Sequence, residues 1–402
     1  MTKTREVVAG GARQFMTVHH LTVSGSQAEI GRALAEEAKD RYGWKPVPAD
    51  PTVSRARRDW FRRHWPQHHA RMAGAAEVAG VPLDRDDVHL DALAWSPTGS
   101  GCSAIWCGGS TTIDRHNLMG RNYDFFIVGI QQMFALMSGQ PGPEHEPPIC
   151  SRPYVITSRP DDAPATTITT MNELDGCMDG INEHGLAVVL LIADAETAGA
   201  PEPAGPQIGV GPSQLPRFVL DTCENIEQAK QALLGAKQYD LGVPLHYLIA
   251  DRTGQAFVWE RSRGGVEHIV PADGQALCVT NHMLHRPVDP ENPPRDNEET
   301  MLTHQRLDTI TKRTKAGPMS GSRLRDTLEE VRFDARKAGP YPLRTLWRTV
   351  FDLDETTMST RFYLGDTADG EPRYSEETTF RADRTALASP VADRSSPDCR
   401  AV

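Results

Sequence analysis

Cys102 is the residue whose position in the sequence most clearly suggests chemistry. It directly follows Gly101 in GSGCSAIWCGG, where a loop of small residues leads into a β-like run. Backbone without bulky side chains is easy to approach, and access is the first requirement of a nucleophile. If the bond between Gly101 and Cys102 is cut, the new α-amino group, with a usual pKa of about 7.7–8.0, can accept the proton of its own thiol. The alternative is a buried thiol without a chemical role.

Arg121 and Asp124, in GRNYDFF, follow Cys102 by about the length of one β-hairpin. A returning strand would bring both side chains beside the thiol, where a guanidinium and a carboxylate can hold a free amine and a thiolate in place. Without Cys102, the same residues are more typical of an ion pair at a strand edge. Their assignment to a site therefore depends on the cysteine.

Asn281 ends a β-like run in VTNHML, where its side-chain N–H groups can serve an oxyanion, although an isolated Asn there is usually a turn former. The neighbouring His282 and His285 raise the question of a metal. No cysteine or acidic residue lies near them at the spacing of a zinc site, so we expect no metal and no other cofactor.

Cys107 would face the opposite side of a strand from Cys102, so we expect it to be structural.

Aromatic and apolar side chains surround these positions. Tyr123, Phe125 and Phe126 belong to the GRNYDFF run, Trp106 precedes it and Met133 follows it. They predict an apolar pocket for an acyl group. The equally supported alternative is that they are core residues.

The elements that must position these residues change in character near Cys102. Before it, the patterns predict a strand at 15–23, a Ser-capped helix within 24–43, a helical region at 53–80 interrupted at Pro66, and a short helix near 86–95. After it, short β-like runs recur up to Asp194, helices are predicted near 215–234, 298–314 and 323–335, and further strands lie between and after them. Helices on either side of many strands indicate a layered α/β sandwich.

Composition narrows the class of protein. The chain has 402 residues, 39% of them hydrophobic, and a net charge of −11, which suits a folded protein and argues against nucleic-acid binding. We see neither a secretory signal at the start nor a run approaching the roughly 20 apolar residues needed to span a bilayer, so we expect a cytoplasmic protein with no membrane partner. Seven scattered cysteines do not suggest a disulfide framework.

Together the motifs resemble the acyl-coenzyme A:isopenicillin N acyltransferase family. That family is related to the penicillin V acylases and bile salt hydrolases, all of them Cys-type N-terminal-nucleophile hydrolases. The likeness runs in family order over most of the chain, through SGSQAEIGRALAEEA, MAGAAEVAGVPLDRDDVHLDAL, GCSAIWCGG, GRNYDFF, DGINEHGLAVVLL and VTNHM. It implies an α+β fold, the four-layer αββα sandwich.

The resemblance also implies roles for individual residues. These are Cys102 as nucleophile with its freed amine as base, Arg121 and Asp124 as the pair that orients it, Asn281 as oxyanion donor, and Arg306, in the stretch THQR, as a further active-site arginine. The family's second oxyanion donor follows the DGxNExGL stretch, but here AVVLLIAD is apolar until Asp194, so this donor stays open, and a backbone N–H near the nucleophile is the alternative.

The long segment before Cys102 is similar to the internal propeptide that some family members cut. We expect a mainly helical segment 1–101 that stays bound after cleavage between Gly101 and Cys102, a catalytic domain 102–366, and a mobile polar tail 367–402. The expected reaction opens a linear amide through a thioester. The substrate is a small-molecule amide or acyl donor, with an amine or acyl-coenzyme A as candidate second substrate, and family analogy suggests secondary metabolism. The sequence leaves open whether the reaction is hydrolysis or acyl transfer. It also leaves open whether the chain forms a homo-oligomer.

Two other functions compete with the enzyme. The run SRARRDWFRRHW at 54–65 interleaves basic and aromatic residues and is a candidate surface for an anionic partner, although a solvated helix face with its aromatic side packed inward explains it better. The second alternative is a non-catalytic relative.

Overall fold

The β-rich runs of the sequence form two large sheets in a computed structural model of the chain. The structure describes residues 1–91, 101–143, 145–171, 175–193, 207–239, 243–262, 265–286, 291, 294–297, 300–336 and 341–384. The strands are β1 (Thr2–Gly10), β2 (Thr17–Gly25), β3 (Val47–Pro48), β4 (Val88–His89), β5 (Cys102–Cys107), β6 (Leu118–Phe126), β7 (Tyr154–Pro160), β8 (Thr166–Thr170), β9 (Asp179–Asn182), β10 (Ala187–Ile192), β11 (Leu245–Ala250), β12 (Ala256–Arg261), β13 (Glu267–Pro271), β14 (Leu277–Val279), β15 (Leu343–Asp352), β16 (Thr357–Asp366), β17 (Pro372–Tyr374) and β18 (Thr378–Arg381).

The helices lie outside the sheets. They are α1 (Gln27–Tyr42), α2 (Pro51–His64), α3 (Pro66–Ala79), α4 (Ile130–Ser138), α5 (Gln214–Thr222), α6 (Ile226–Gly235), α7 (Thr303–Lys315) and α8 (Gly321–Glu330). The predicted break at Pro66 is therefore confirmed, since α2 ends and α3 begins there. None of the helices in the described part of the chain is long and apolar enough to cross a membrane.

The two large sheets form the middle of a four-layer sandwich. One has nine strands in the order β1-β2-β7-β8-β9-β10-β11-β12-β13, and the other has seven, in the order β14-β5-β6-β15-β16-β17, with β18 also paired to β16. Helices α1 and α5 contact the nine-stranded sheet, whereas α7 and α8 contact the seven-stranded sheet. One core cluster joins side chains of both sheets, and a second lies between the seven-stranded sheet and α7 and α8. The predicted αββα sandwich is confirmed.

The segment before Cys102 is part of the nine-stranded sheet as well as a helical layer. Strand β2, which the sequence predicted, pairs in parallel with β7, and β1, which it did not, forms the sheet edge beside β2. The prediction of a short helix near 86–95 is wrong for its first residues, because Val88–His89 forms a strand that pairs with Val47–Pro48. Residues 92–95 of that prediction lie outside the described residues.

Local signals in the sequence set the position of α1. The Ser26 side chain accepts from the Glu29 backbone N–H while the Glu29 carboxylate accepts from the Ser26 backbone, a capping box that fixes the first turn. The helix ends at Gly43, whose φ of 67° favours glycine. Gly31 then lets α3 approach closely, since a Cβ there would lie 2.1 Å from the Arg71 carbonyl oxygen.

The polar tail is ordered as far as the structure describes it. We expected mobility after Asp366, which is wrong for residues 367–384, because β17 and β18 both pair with β16. Backbone hydrogen bonds and the buried side chains of Phe380 and Ala382 hold this segment, and neither feature needs an apolar pattern along the sequence. Residues 385–402 lie outside the described residues.

Candidate active site

Cys102 is the first residue of β5, which lies between β14 and β6 in the seven-stranded sheet. Its side chain is buried, and its backbone N–H donates to Asn281 Oδ1 at 2.8 Å. The preceding Gly101 is buried against Phe333, where a Cβ would lie 2.8 Å from ring carbon Cε2. The junction between the two residues therefore has room for glycine and is held from both sides.

Arg121 contacts the thiol from β6, the strand next to β5. Register and alternation place it on the same face of the sheet as Cys102, and its Nη2 lies 3.2 Å from Cys102 Sγ. Its Nη1 donates to Asp179 Oδ2 at 3.0 Å, across the space between the two sheets. Trp347 Nε1 donates to the same oxygen at 2.9 Å. A fixed positive charge therefore lies beside the sulfur.

Asp124 lies on the other face of β6 from Arg121, because the two residues are three positions apart. Thr345 Oγ1 donates to Asp124 Oδ1, and the Asp124 backbone N–H hydrogen-bonds Cys102 Sγ. The predicted pair is therefore present at Cys102, but its members do not pair with each other, since the ionic partner of Arg121 is Asp179. Among the described residues, Asp124 Oδ2 has no hydrogen-bond partner.

Burial sets the protonation of this site. It raises the pKa of the Cys102 thiol, and the nearby charge of Arg121 opposes the effect only in part. It also raises the pKa of Asp124 to about 6, although Arg306 and Thr345 favour the carboxylate. In the intact chain the nitrogen of Cys102 is an amide and cannot act as a base, so the thiol has no proton acceptor within its own residue.

Asn281 and Arg306 hold Cys102 from the opposite side to Arg121. Asn281 follows β14, which pairs with β5, and its Oδ1 accepts from Arg306 Nη2 at 2.6 Å as well as from the Cys102 N–H. Arg306, in the first turns of α7, also donates to the Cys102 carbonyl oxygen and to Ser103 Oγ. Arg306, which only the family resemblance suggested, thus lies in contact with the cysteine.

The side-chain amide of Asn281 donates to the Ile192 carbonyl oxygen at 2.5 Å. An amide nitrogen carries two hydrogens, so this bond leaves one for another acceptor. Asp194, where the sequence left the second oxyanion donor open, lies outside the described residues.

The predicted apolar residues are buried, and only one of them lies directly opposite the cysteine. Tyr123 is the register partner of Cys102, stacks on Trp347 at 3.9 Å between ring centroids, and donates its hydroxyl to Met171 Sδ at 3.1 Å. Phe125 shares its face of β6, whereas alternation places Phe126 on the other face. Trp106 and Met133 belong to the same core cluster.

Sequence reasoning missed four residues that build this site: Asp179, Trp347, Thr345 and Met171. Asp179 begins the DGINEHGL stretch, one of the family motifs recognised in the sequence. The sequence does not show, however, that Asp179 pairs with Arg121. The other three lie in β-like runs whose register with β6 cannot be read from the sequence. Cys107 faces the opposite side of the strand from Cys102, as predicted, because its side chain joins the core cluster on the helix side of the sheet.

Four of the five arginines in the basic run at 54–65 form ion pairs. Its aromatic residues Trp60, Phe61 and Trp65 are buried, and Arg57 forms a buried ion pair with Asp91. Arg55 and Arg58 both pair with Asp86, and Arg62 pairs with Asp59. The helix face therefore fits the solvated alternative better than an anionic partner.

The described residues contain two groups with the arrangement of metal ligands. They are His68 with Asp91 and Asp175, and His116 with Asp352 and Asp354. The first group lines a cavity of about 290 Å³ between α1 and α3, but Arg57 already neutralises Asp91 there. Neither group includes His282, His285 or Cys102, so the expected absence of a metal at the candidate site stays a prediction.

The model of the acyl-coenzyme A:6-aminopenicillanic acid acyl-transferase family matches residues 111–368, and the chain belongs to that family. No curated protein sequence matches the chain.

Solved structures of low sequence identity are among the proteins that the chain resembles. A mutant conjugated bile acid hydrolase from Clostridium perfringens matches with 13% identity over 72% of this chain and 99% of its own, at a TM-score of 0.43. An N-acylethanolamine-hydrolyzing acid amidase ortholog from Caenorhabditis elegans matches with 14% identity over 70% and 99%, at a TM-score of 0.41. Penicillin V acylase from Agrobacterium tumefaciens matches with 14% identity over 70% and 79%, at a TM-score of 0.36.

Proposed function

We propose that the chain is an autoprocessing amidohydrolase or acyltransferase that opens a linear amide bond through a thioester at Cys102. The observation that carries the proposal is the position of Cys102, whose thiol contacts Arg121 while its own nitrogen and carbonyl oxygen are held by Asn281 and Arg306. Every polar atom of the reacting residue thus has a dedicated partner.

The first step is cleavage of the bond between Gly101 and Cys102. Cys102 Sγ attacks the Gly101 carbonyl carbon, the carbon–nitrogen bond breaks, and the Cys102 nitrogen takes up a proton to become an amine. Water then hydrolyses the thioester and leaves Gly101 with a carboxylate. Asn281 supports this step because it fixes the nitrogen that becomes the leaving group.

The second step uses the amine that the first step creates. An α-amino group titrates near neutral pH, so it can take the proton of the thiol, which burial otherwise keeps neutral. Arg121 then stabilises the thiolate, and Asp124 Oδ2, which has no hydrogen-bond partner in the described part of the chain, is an acceptor for the ammonium form of the amine. The base therefore appears only in the processed chain.

Turnover of a substrate amide follows the same chemistry. The thiolate attacks the substrate carbonyl, the second Nδ2 hydrogen of Asn281 stabilises the oxyanion, and the Cys102 amine protonates the departing nitrogen. The acyl group stays on sulfur as a thioester until water or an incoming amine removes it. Acyl-coenzyme A is a candidate donor of the same acyl group.

The side chains next to the sulfur favour an apolar acyl group. Tyr123 and Phe125 lie on the same face of the sheet as Cys102, and Met171 contacts the Tyr123 hydroxyl. The Tyr123 ring stacks on Trp347. Phe126 contributes only from the opposite face of the strand. A small-molecule amide with an apolar acyl part is thus the substrate class.

The N-terminal fragment stays bound after cleavage. Its strands β1 and β2 form one end of the nine-stranded sheet, and Arg57 and Arg71 make buried ion pairs with Asp91 and Asp221. The Arg71 pair joins the fragment to the catalytic domain. Separation of 1–101 from the rest would expose this sheet edge and core.

An activity screen tests the proposal. Purified protein is assayed against short- and long-chain acyl amides, with and without amine acceptors, and compared with Cys102→Ala and Cys107→Ala. The cysteine at 107 lies in the same buried strand, so it is the matched control. We expect amide cleavage by the wild type and Cys107→Ala and none by Cys102→Ala. Activity that survives in Cys102→Ala would overturn the proposal.

A further inference from the structure

The segment that carries Asn281 is held by a buried histidine and glutamate on the opposite sheet. His246 on β11 and Glu260 on β12 are register partners, and neither side chain is exposed. His246 Nε2 lies 2.6 Å from Glu260 Oε1, and His246 Nδ1 lies 3.2 Å from the Thr280 carbonyl oxygen. Both ring nitrogens therefore face oxygen atoms.

Those partners determine the charge of the ring. A carbonyl oxygen and a carboxylate oxygen can only accept, so each ring nitrogen must donate a hydrogen. A histidine with hydrogens on both nitrogens is an imidazolium cation, and Glu260 is its counter-ion. Although burial favours the neutral acid, hydrogen bonds from His246, His285 and the Leu284 backbone lower the pKa of Glu260 to about 2, so it is ionised.

Among the residues that the structure describes, the other ionisable groups nearby do not supply that counter-charge. Burial lowers the pKa of His282 to about 4, so this histidine is neutral. His282 lies close to His304, and Arg306 is cationic. Asp296 bonds the backbone N–H groups of His304 and Gln305 at the start of α7, rather than the His246 ring. Glu260 is the carboxylate in contact with His246.

The pair holds both ends of a short segment. His246 bonds the Thr280 carbonyl, and Glu260 accepts from the backbone N–H groups of Leu284 and His285. Asn281 lies between these points and makes the contacts to Cys102 and Arg306. A displacement of about 1 Å at such a site can cost about 100-fold in rate, so rigid support has a direct effect on catalysis.

We propose that His246 and Glu260 form a buried imidazolium–carboxylate pair that positions Asn281 for the reaction at Cys102. The inference rests on the proposed function for its effect on turnover. The pair does not touch the reacting atoms, so both are positioning residues.

Glu260→Gln is the first test, because it keeps the size of the side chain and removes its charge. We expect kcat for an acyl amide to fall roughly 10- to 100-fold with KM changed less than about threefold, since Asn281 acts mainly on the oxyanion. His246→Gln removes the positive charge and one of the two donor nitrogens, so its kcat should fall similarly, and it replaces Glu260→Gln if that variant does not fold. Glu37→Gln is the matched control, because Glu37 is also a buried carboxylate that accepts from a side chain of the nine-stranded sheet.

A second measurement reads the pair directly. Histidine 15N spectra of the full-length protein near pH 7.5 should show hydrogens on both ring nitrogens of His246 in the wild type, and a neutral ring in Glu260→Gln. The Asn281 side-chain amide signal should shift in Glu260→Gln and His246→Gln but not in Glu37→Gln.

The possible outcomes separate the two proposals. If the wild-type protein cleaves no amide, the proposed function is overturned. The 15N signals would still show whether His246 and Glu260 form the charged pair. A neutral His246 in the wild type, an unshifted Asn281 signal, or a full kcat in a folded Glu260→Gln protein would each overturn the inference.

Discussion

Arg121 and Asp179 form a fully buried ion pair, with Nη1 and Oδ2 3.0 Å apart, that joins the two sheets directly beside the Cys102 thiol. Burial lowers the pKa of Arg121, but Cys102 and Asp179 outweigh that effect, so the guanidinium stays charged. The ion pair therefore couples the stability of the sandwich to the electrostatics of the candidate site.

Asp179→Asn should destabilise the protein and slow the reaction. It leaves the charge of Arg121 buried without its counter-ion, and breaking a buried pair in this way costs about 3–5 kcal/mol. Urea unfolding of Cys102→Ala protein with and without Asp179→Asn measures the loss without interference from processing. Asp366→Asn, which removes the partner of Arg344 at a partly exposed site, should cost less. Equal losses would contradict a special role for the buried pair.

Asn281→Ala should lower turnover by about 10²–10³-fold while the protein still folds, because it removes an oxyanion donor. It should also slow cleavage at Gly101, since the Cys102 nitrogen loses its partner. The matched control is Asn225→Ala, which removes the N-cap of α6 and should cost about 1 kcal/mol of stability with normal turnover. Turnover at the wild-type level in Asn281→Ala would show that its assigned role is wrong.

Gly101→Ala should slow processing for a steric reason. Its Cβ would lie 2.8 Å from the Phe333 ring, which is buried and packs against the Arg306 guanidinium. The added carbon must therefore displace either the junction or the ring. Phe333→Leu in the same chain should restore part of the cleavage rate, measured by the time course of intact mass. If Gly101→Ala is cut as fast as the wild type, the junction is less confined than the contact indicates.

Much of the local structure could be predicted from the sequence, because its causes are local. Ser26 with Glu29 starts α1, Gly43 ends it and Pro66 divides the next helical region. Strand β1 was missed because it is exposed at a sheet edge and lacks a buried face. Strands β17 and β18 were missed for a related reason, since pairing with β16 rather than an apolar pattern holds them.

The same distinction between local and long-range causes applies to the candidate site. Cys102 and Asn281 could be selected from residue type and neighbouring sequence, and the family resemblance added Arg306. The ionic partner of Arg121 could not be selected, because Asp179 lies 58 residues away on the other sheet and the packing of two sheets is not encoded in either strand alone. The bond from Thr345 to Asp124 depends in the same way on the register of β15 with β6.

The pKa of Asp124 predicts a specific dependence of stability on pH. Its folded-state value of about 6 lies above the ordinary 3.8, so the folded protein binds more protons between these values. The stabilisation from this group is complete below about pH 3.8 and is lost as pH rises to about 6, by roughly 3 kcal/mol at about 1.4 kcal/mol per pH unit. Urea unfolding from pH 4 to 7.5 of Cys102→Ala protein, with and without Asp124→Asn, should show this loss only where Asp124 is present. Parallel curves would contradict the assignment.

The central claim is that cleavage after Gly101 creates the amine that makes Cys102 a nucleophile. The direct measurement follows intact mass and amide-cleaving activity in the same freshly purified sample over time. We predict that activity rises in proportion to the fraction of chains that begin at Cys102, and that Cys102→Ala stays uncut and inactive. Full activity in a sample whose chains are all uncut at Gly101 would contradict the account.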